Sequence, residues 1–155
     1  MKIGIHQPQY IPWLHYFLKI KNCDVFVILD TVNFQKNGIQ NRNQIKTKSG
    51  KSWLTVPVKH KLGQKIIDVE ISNSQNWKKK HFMTIDQFYN KSKFYKNYKD
   101  ELEEIYNKYW LSLCDFNIAF IFKVLEWLNI KTIIKRSSEL KVEGHSTDLI
   151  INICK

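Results

Sequence analysis

The stretch KIGIHQPQYIPWLHYFLKIKNCDVFVILD, residues 2–30, decides the fold. Lys2 to Ile5 reads as a short apolar-leaning strand. Pro8 and Pro12 then exclude a continuous helix, because each ring fixes φ and removes a backbone donor. Trp13 to Ile20, with Trp13, Leu14, Phe17, Leu18 and Ile20 apolar, has the spacing of a short helix laid on a sheet. DVFVILD, residues 24–30, is a continuous apolar run ending in an acid, the pattern of a buried parallel strand. Strand, helix and strand in about thirty residues make a βαβ unit.

Asp30 to Asn43 is polar, rich in Asn and Gln, and contains Gly38, which marks a loop. IKTKSGKSWLTVPV, residues 45–58, predicts a hairpin turning at Ser49-Gly50, and KIIDVEI, residues 65–71, alternates enough to predict one more strand. The period then changes. Trp77, His81, Ile85 and Phe88 recur at helical spacing, as do Leu102, Ile105, Tyr106 and Tyr109, and then Phe116, Phe120, Val124 and Leu128. KTIIKR, residues 131–136, returns to strand character, and Ser146-Thr147-Asp148 offers caps for a last helix carrying Leu149, Ile150 and Ile153. The sum is an α/β chain: an open, three-layer, mostly parallel sheet with an inserted β-hairpin and a helical segment. A length of 155 residues holds it as one domain, 1–155.

Charge and cysteine usage bound the function classes. Lys and Arg number 25 against 14 acids, a formal charge of +11 that suits a polyanionic partner. Only Arg42 and Arg136 are arginines and Ile and Asn are abundant, so the lysine excess also fits an A+T-rich coding sequence. Cys23, Cys114 and Cys154 lie far apart without metal or redox spacing, which marks them as reduced packing thiols. No apolar run reaches the roughly 18 residues of a bilayer span, and the N-terminus lacks signal-peptide features; the expectation is a cytoplasmic protein with no membrane insertion.

In open α/β sheets, ligands bind beyond the carboxyl ends of the strands, where loops and helix N-termini converge. The first strand ends at His6-Gln7, the second at Asp30 and the last at Arg136-Ser137-Ser138. As parallel neighbours they would share one cleft. Lys36, Asn41, Arg42, Asn43 and Lys46 add donors suited to phosphate or carboxylate oxygens, and Trp53 on the second hairpin arm joins this ligand-contacting set. His81, with Trp77 and Lys80 beside it, offers a further wall. Structural roles compete at each position: a turn bond for His6, a loop cap for Asp30, solvated surface for Lys36 and Lys46, helix core for His81. No zinc-like ligand spacing occurs, so no metal is assigned, and the nucleophile elbow, Walker loop and dinucleotide fingerprint are absent.

HQPQYIPWLHYFLKI, DVFVILDTVNFQKNGIQNRNQIK and WLTVPV, in that order and extended by SSEL at 137–140 and STDLIINICK at 146–155, resemble the WbqC-like family of bacterial proteins. The resemblance spans essentially the whole chain. Members usually continue past the position of Lys155 into a Gly- and Tyr-containing segment and further strands, so the resemblance implies a C-terminally shortened form. His15 stands where the family usually has Gly, and Ile39 where an aromatic is common. The family is associated with O-antigen and other surface-polysaccharide gene clusters. The resemblance therefore implies a transferase or ligase that joins glycine or another amino acid to an amino sugar or nucleotide-sugar. No cofactor is assigned from the residues; ATP with Mg²⁺ enters through an adenylate route, by analogy with nucleotidyltransferase-like enzymes that carry a His motif after their first strand. On that reading His6 stabilises a transferring phosphate or acts as acid or base, Asp30 orients the amine or the His, and Arg42 holds an anion. Gln7, Tyr10, Trp13, Lys36, Asn41, Asn43, Lys46, Trp53, His81, Ser137 and Ser138 contact substrate, with Tyr10 and Trp13 as flat walls. A nucleic-acid-binding module, drawn from the charge and 14% aromatics, and a non-catalytic scaffold are the competing readings.

Overall fold

Short apolar runs build the first two strands, Ile3–His6 (β1) and Val25–Ile28 (β2), with the helix Leu14–Lys21 (α1) between them, in a computed structural model that describes residues 1–155. Trp13 is extended and stands just ahead of α1 rather than in its first turn. Arg42–Thr47 (β3) and Gly50–Thr55 (β4) form the expected hairpin, and Val58–Lys59 (β5) pairs with Glu70–Ile71 (β6). The helical segment consists of Trp77–Tyr89 (α2), Lys99–Asn107 (α3) and Leu113–Trp127 (α4); Ile133–Arg136 (β7) and Ser146–Cys154 (α5) follow.

The sheet order is β1-β2-β7, all parallel, with His6 opposite Ile28 and Ile28 opposite Arg136. This register aligns the three carboxyl ends on one edge. Strand alternation then sorts the faces. Phe26 and Ile28 bury against Tyr16, Phe17 and Ile20 of α1 and Ile118, Ile121 and Leu125 of α4, while Val27 and Leu29 bury against Leu149 and Ile153 of α5. The result is a three-layer α/β arrangement, as the sequence pattern implies. A second core gathers the hairpin, α2 and α3 around Tyr10, Ile45, Leu54, Trp77 and Tyr106. α4 serves both, with Phe116 and Phe120 in this core and Ile118 and Ile121 in the other. Gly4 is required by close approach, because a Cβ there would lie 2.5 Å from Cys23 Sγ and 2.8 Å from Phe26 Cδ2.

Two expectations need correction. KIIDVEI is not one strand: Ile66–Asp68 is a 3-10 turn and only Glu70–Ile71 is extended. The buried positions are Ile66, Val69 and Ile71, and the step of three from 66 to 69 is one 3-10 turn, whereas a strand buries every second residue. Backbone bonds from Ile66 to the Val32 carbonyl and from Ile67 to the Asp30 carbonyl fix this turn beneath the loop after β2. Ser146-Thr147-Asp148 also does not cap α5 from outside. His145 precedes the helix without a side-chain cap bond, and Ser146, at φ 52°, is already its first residue. No helix is long and apolar enough to cross a membrane.

Candidate functional site

Asp30 follows the last core residue of β2 and has no exposed surface. Its Oδ1 accepts from Ser137 Oγ at 2.8 Å and the Ser138 amide at 3.0 Å; its Oδ2 accepts from Arg136 Nε at 2.9 Å and Ser138 Oγ at 2.8 Å. Ser137 Oγ in turn accepts from the amides of Asp30 and Thr31. Burial pushes the Asp30 carboxyl pKa up, but Arg136, Ser138 and Ser137 together outweigh it and hold the group below its ordinary value. The sequence-chosen trio Asp30, Ser137 and Ser138 is thus one assembly. Arg136, whose NH1 also reaches Asp115 Oδ1 at 3.2 Å, completes it. The sequence reading placed that arginine at the strand end with the two serines but assigned it no role of its own.

His6 ends β1 on the sheet face that carries α1, its ring edge-on to Tyr16 at 5.3 Å. Gln9 Nε2 lies 3.3 Å from His6 Nδ1. Burial lowers the His6 pKa, the Gln7 carbonyl opposes the shift, and Lys19 adds to it; the ring is neutral at neutral pH. Gln7 turns away to accept from Gln40 Nε2 at 2.7 Å, and Asn117 of α4 donates to the Gln40 carbonyl. Gln9, Gln40 and Asn117 are buried polar residues that the sequence reading passed over; Gln9 and Gln40 fell in polar loop stretches, and Asn117 in a helix recognised by its apolar spacing.

The hairpin residues form a separate group. Asn41 donates to the Val56 carbonyl and Asn43 to the Ile11 carbonyl at 2.7 Å, so both tie the hairpin to its surroundings. Arg42 lies 4.3 Å over the Trp53 ring. Tyr10 is fully buried, its hydroxyl 2.8 Å from His81 Nδ1 and 2.7 Å from Tyr106 Oη; it is a core strut with no face open to a ligand. Trp13, 62% exposed, does present a face, although its ring lies tilted against His15 at 4.9 Å. Lys36 and Lys46 are exposed.

The sequence pattern of the WbqC-like protein family covers residues 7–155. The chain belongs to this family. An uncharacterised protein of Mycobacterium tuberculosis, Rv1507c, is 31% identical over 157 aligned positions, which take in 99% of this chain and 68% of the relative. No solved structure matches. Membership suggests a biosynthetic role in polysaccharide clusters.

Two clefts of this WbqC-like chain matter chemically. One, of about 780 Å³, opens at the carboxyl end of β2 and is lined by Thr31, Asn33, Lys65 and the segment 142–146 that enters α5. The other, of about 540 Å³, lies between β4 and the start of α2 and takes in Trp53, Trp77, Lys80 and His81. The first contains none of the side chains chosen from the sequence, although Thr31 links it to Ser137; the second contains Trp53 and His81.

Proposed function

We propose that this chain acts as a transferase or ligase of surface-polysaccharide assembly, joining an amino acid to an amino sugar or nucleotide-sugar over the carboxyl edge of β1, β2 and β7. The observation that carries the reading is the cleft of about 780 Å³ directly beyond β2, at the place where open α/β sheets bind ligands and within the ~300–1,000 Å³ of small-molecule sites. Lys65 and the first turn of α5 offer donors to the phosphate or carboxylate of an activated donor.

His6 reaches the same edge from the other face of the sheet. Kept neutral by burial, it suits the proton that a sugar amine releases when it attacks an acyl carbon. Asp30, with both oxygens occupied, acts as a positioning residue: it fixes Arg136, Ser137 and Ser138, and through Ser137 the Thr31 wall. Arg42 supplies a cation on the hairpin side. In an adenylate route Mg²⁺ would have to be held through the phosphates, because Asp30 has no oxygen free for it and no three His, Cys or carboxylate groups converge; no step is therefore assigned to a protein-held metal.

Calorimetric titration with ATP and with a nucleotide-linked amino sugar tests the reading. Saturable binding that weakens about tenfold in Lys65→Ala, with transfer but not binding lost in His6→Gln, is expected. Absence of saturable binding to either ligand removes it. A nucleic-acid module draws on one specific feature: Lys36, Arg42, Lys46, Lys48, Lys51, Lys59, Lys61 and Lys65 lie between Asp30 and Asp68 without an intervening acid. It requires oligonucleotide affinity that falls steeply with salt.

A further inference from the structure

The helix α1 is apolar on two sides. Tyr16, Phe17 and Ile20 bury against Phe26 and Ile28 of the sheet and Ile121 of α4, which accounts for one face. The other carries Leu14, 63% exposed, and Leu18, 42% exposed, with Trp13, 62% exposed, just ahead of them. Leu14 and Leu18 stand four positions apart and so are neighbours on one side of the helix. A surface helix ordinarily turns polar residues outward, and one that is apolar all round is ordinarily buried. Single exposed apolar residues are common on protein surfaces, whereas an adjoining group of them marks a contact.

The charges around this face have one sign. The other exposed residues of α1 are His15, Lys19 and Lys21, and the helix has no acid. The first acid of the chain is Asp24, whose Oδ2 accepts from the Lys2 amide at 2.6 Å. Lys19 Nζ donates to the Ile5 carbonyl, and neither Lys19 nor Lys21 has a carboxylate partner. A second copy docked through the same face in a two-fold dimer would gather the lysines of both helices in one interface with no acid from either. Anionic lipid headgroups would neutralise them.

We propose that this face of α1 docks on a bilayer surface that contains anionic lipid, with Trp13, Leu14 and Leu18 set at the boundary of headgroups and acyl chains and Lys21 against the phosphates. Trp and Leu bordered by lysines are the composition of a helix that lies in the interface without spanning it. Tyr16 of α1 holds its ring 5.3 Å from that of His6, so docking brings the carboxyl end of β1 close to the membrane. The inference stands apart from the strand-end reading, because adsorption needs no turnover.

The full chain is sedimented with vesicles of phosphatidylcholine alone and of phosphatidylcholine and phosphatidylglycerol in equal parts. Binding to the mixed vesicles should fall about tenfold in Leu14→Ser/Leu18→Ser, whose net charge is that of the wild type. It should also fall in Lys21→Gln and in added salt. Trp13 emission, taken as the difference between wild type and Trp13→Phe, should be quenched by acyl chains brominated near the headgroup. Thermal unfolding checks that the double variant folds; if it does not, Leu18→Gln alone takes its place. Equal binding of wild type and the apolar variant would mean adsorption by overall charge and would overturn the proposal. So would no binding to mixed vesicles, an unquenched Trp13, or a lipid-free dimer abolished by the same substitutions, which would assign the face to a second copy.

Discussion

Replacing Asp30 with Asn turns one carboxylate oxygen into an amide donor, and either choice leaves a fixed donor without an acceptor. On the Oδ1 side that donor is the Ser138 amide; on the Oδ2 side it is Arg136 Nε. The serine hydroxyls can rotate away, but these two cannot. Breaking a buried ion pair costs about 3–5 kcal/mol. The low end, about 3 kcal/mol, applies here, because the Arg136 side chain is 25% exposed and keeps Asp115 as a second partner. For a chain of this length that is a fall in Tm of about 6–12 °C. The pH dependence gives the sign. A carboxyl held below its ordinary value of 3.8 contributes stability above that pH and loses it as pH falls through the lower folded value. Wild type and Asp30→Asn should therefore differ at pH 7 and converge progressively below pH 3.8. Urea unfolding across this range, with the Asp30→Asn/Arg136→Gln double variant costing less than the sum of its parts, is the assay. A loss under about 1 kcal/mol at pH 7, or a gap undiminished in acid, refutes the reasoning.

Tyr10→Phe should cost about 1–3 kcal/mol in denaturant unfolding, because it strips the hydroxyl shared by His81 and Tyr106 inside the second core. Burial, with Lys80 adding and the Thr55 backbone opposing, pushes His81 down to about 4. Its contribution is intact above the unfolded value of 6.5 and lost as pH falls from there toward 4, so stability should decline over that window while NMR finds the His81 ring neutral at about pH 5. Gly4→Ala drives a Cβ into Cys23 and Phe26 and should destabilise by about 1–3 kcal/mol, with little recovery in a Cys23→Ala background, since the Phe26 contact at 2.8 Å persists. Ser112→Ala removes the acceptor for the Asp115 amide at the start of α4 and should cost about 1 kcal/mol by thermal unfolding.

The βαβ opening could be read because its signals are local: an apolar run, two prolines and a helical spacing follow one another within thirty residues. Parallel pairing of 133–136 with them is legible from the same run-then-polar pattern. What could not be read is partnership over distance. Asp30 looked like a loop cap or an amine-orienting group because its four donors lie on 136–138, and a lone acid carries no mark of where its partners will come from. Tyr10 looked like a ligand wall because it sits between prolines in a polar stretch, yet its ring fills a gap between His81 and Phe116. KIIDVEI misled for the opposite reason: its exception to alternation, Ile66 beside Ile67, was local and visible, but a single missed step is weaker than four apolar residues among seven.

The Asp30 assembly joins residues 107 and 108 positions apart. Loop closure over such a span must precede any reward from the contact, which places it late in folding. During synthesis β1, α1 and β2 leave the ribosome with the Asp30 carboxylate exposed to water, and nothing can draw it into the protein until Arg136 and the two serines emerge. The edge proposed to hold the reacting groups is therefore the last part of the sheet to be completed, and a chain released before Ser138 would carry β1 to β7 and α1 to α4 but neither α5 nor a finished site.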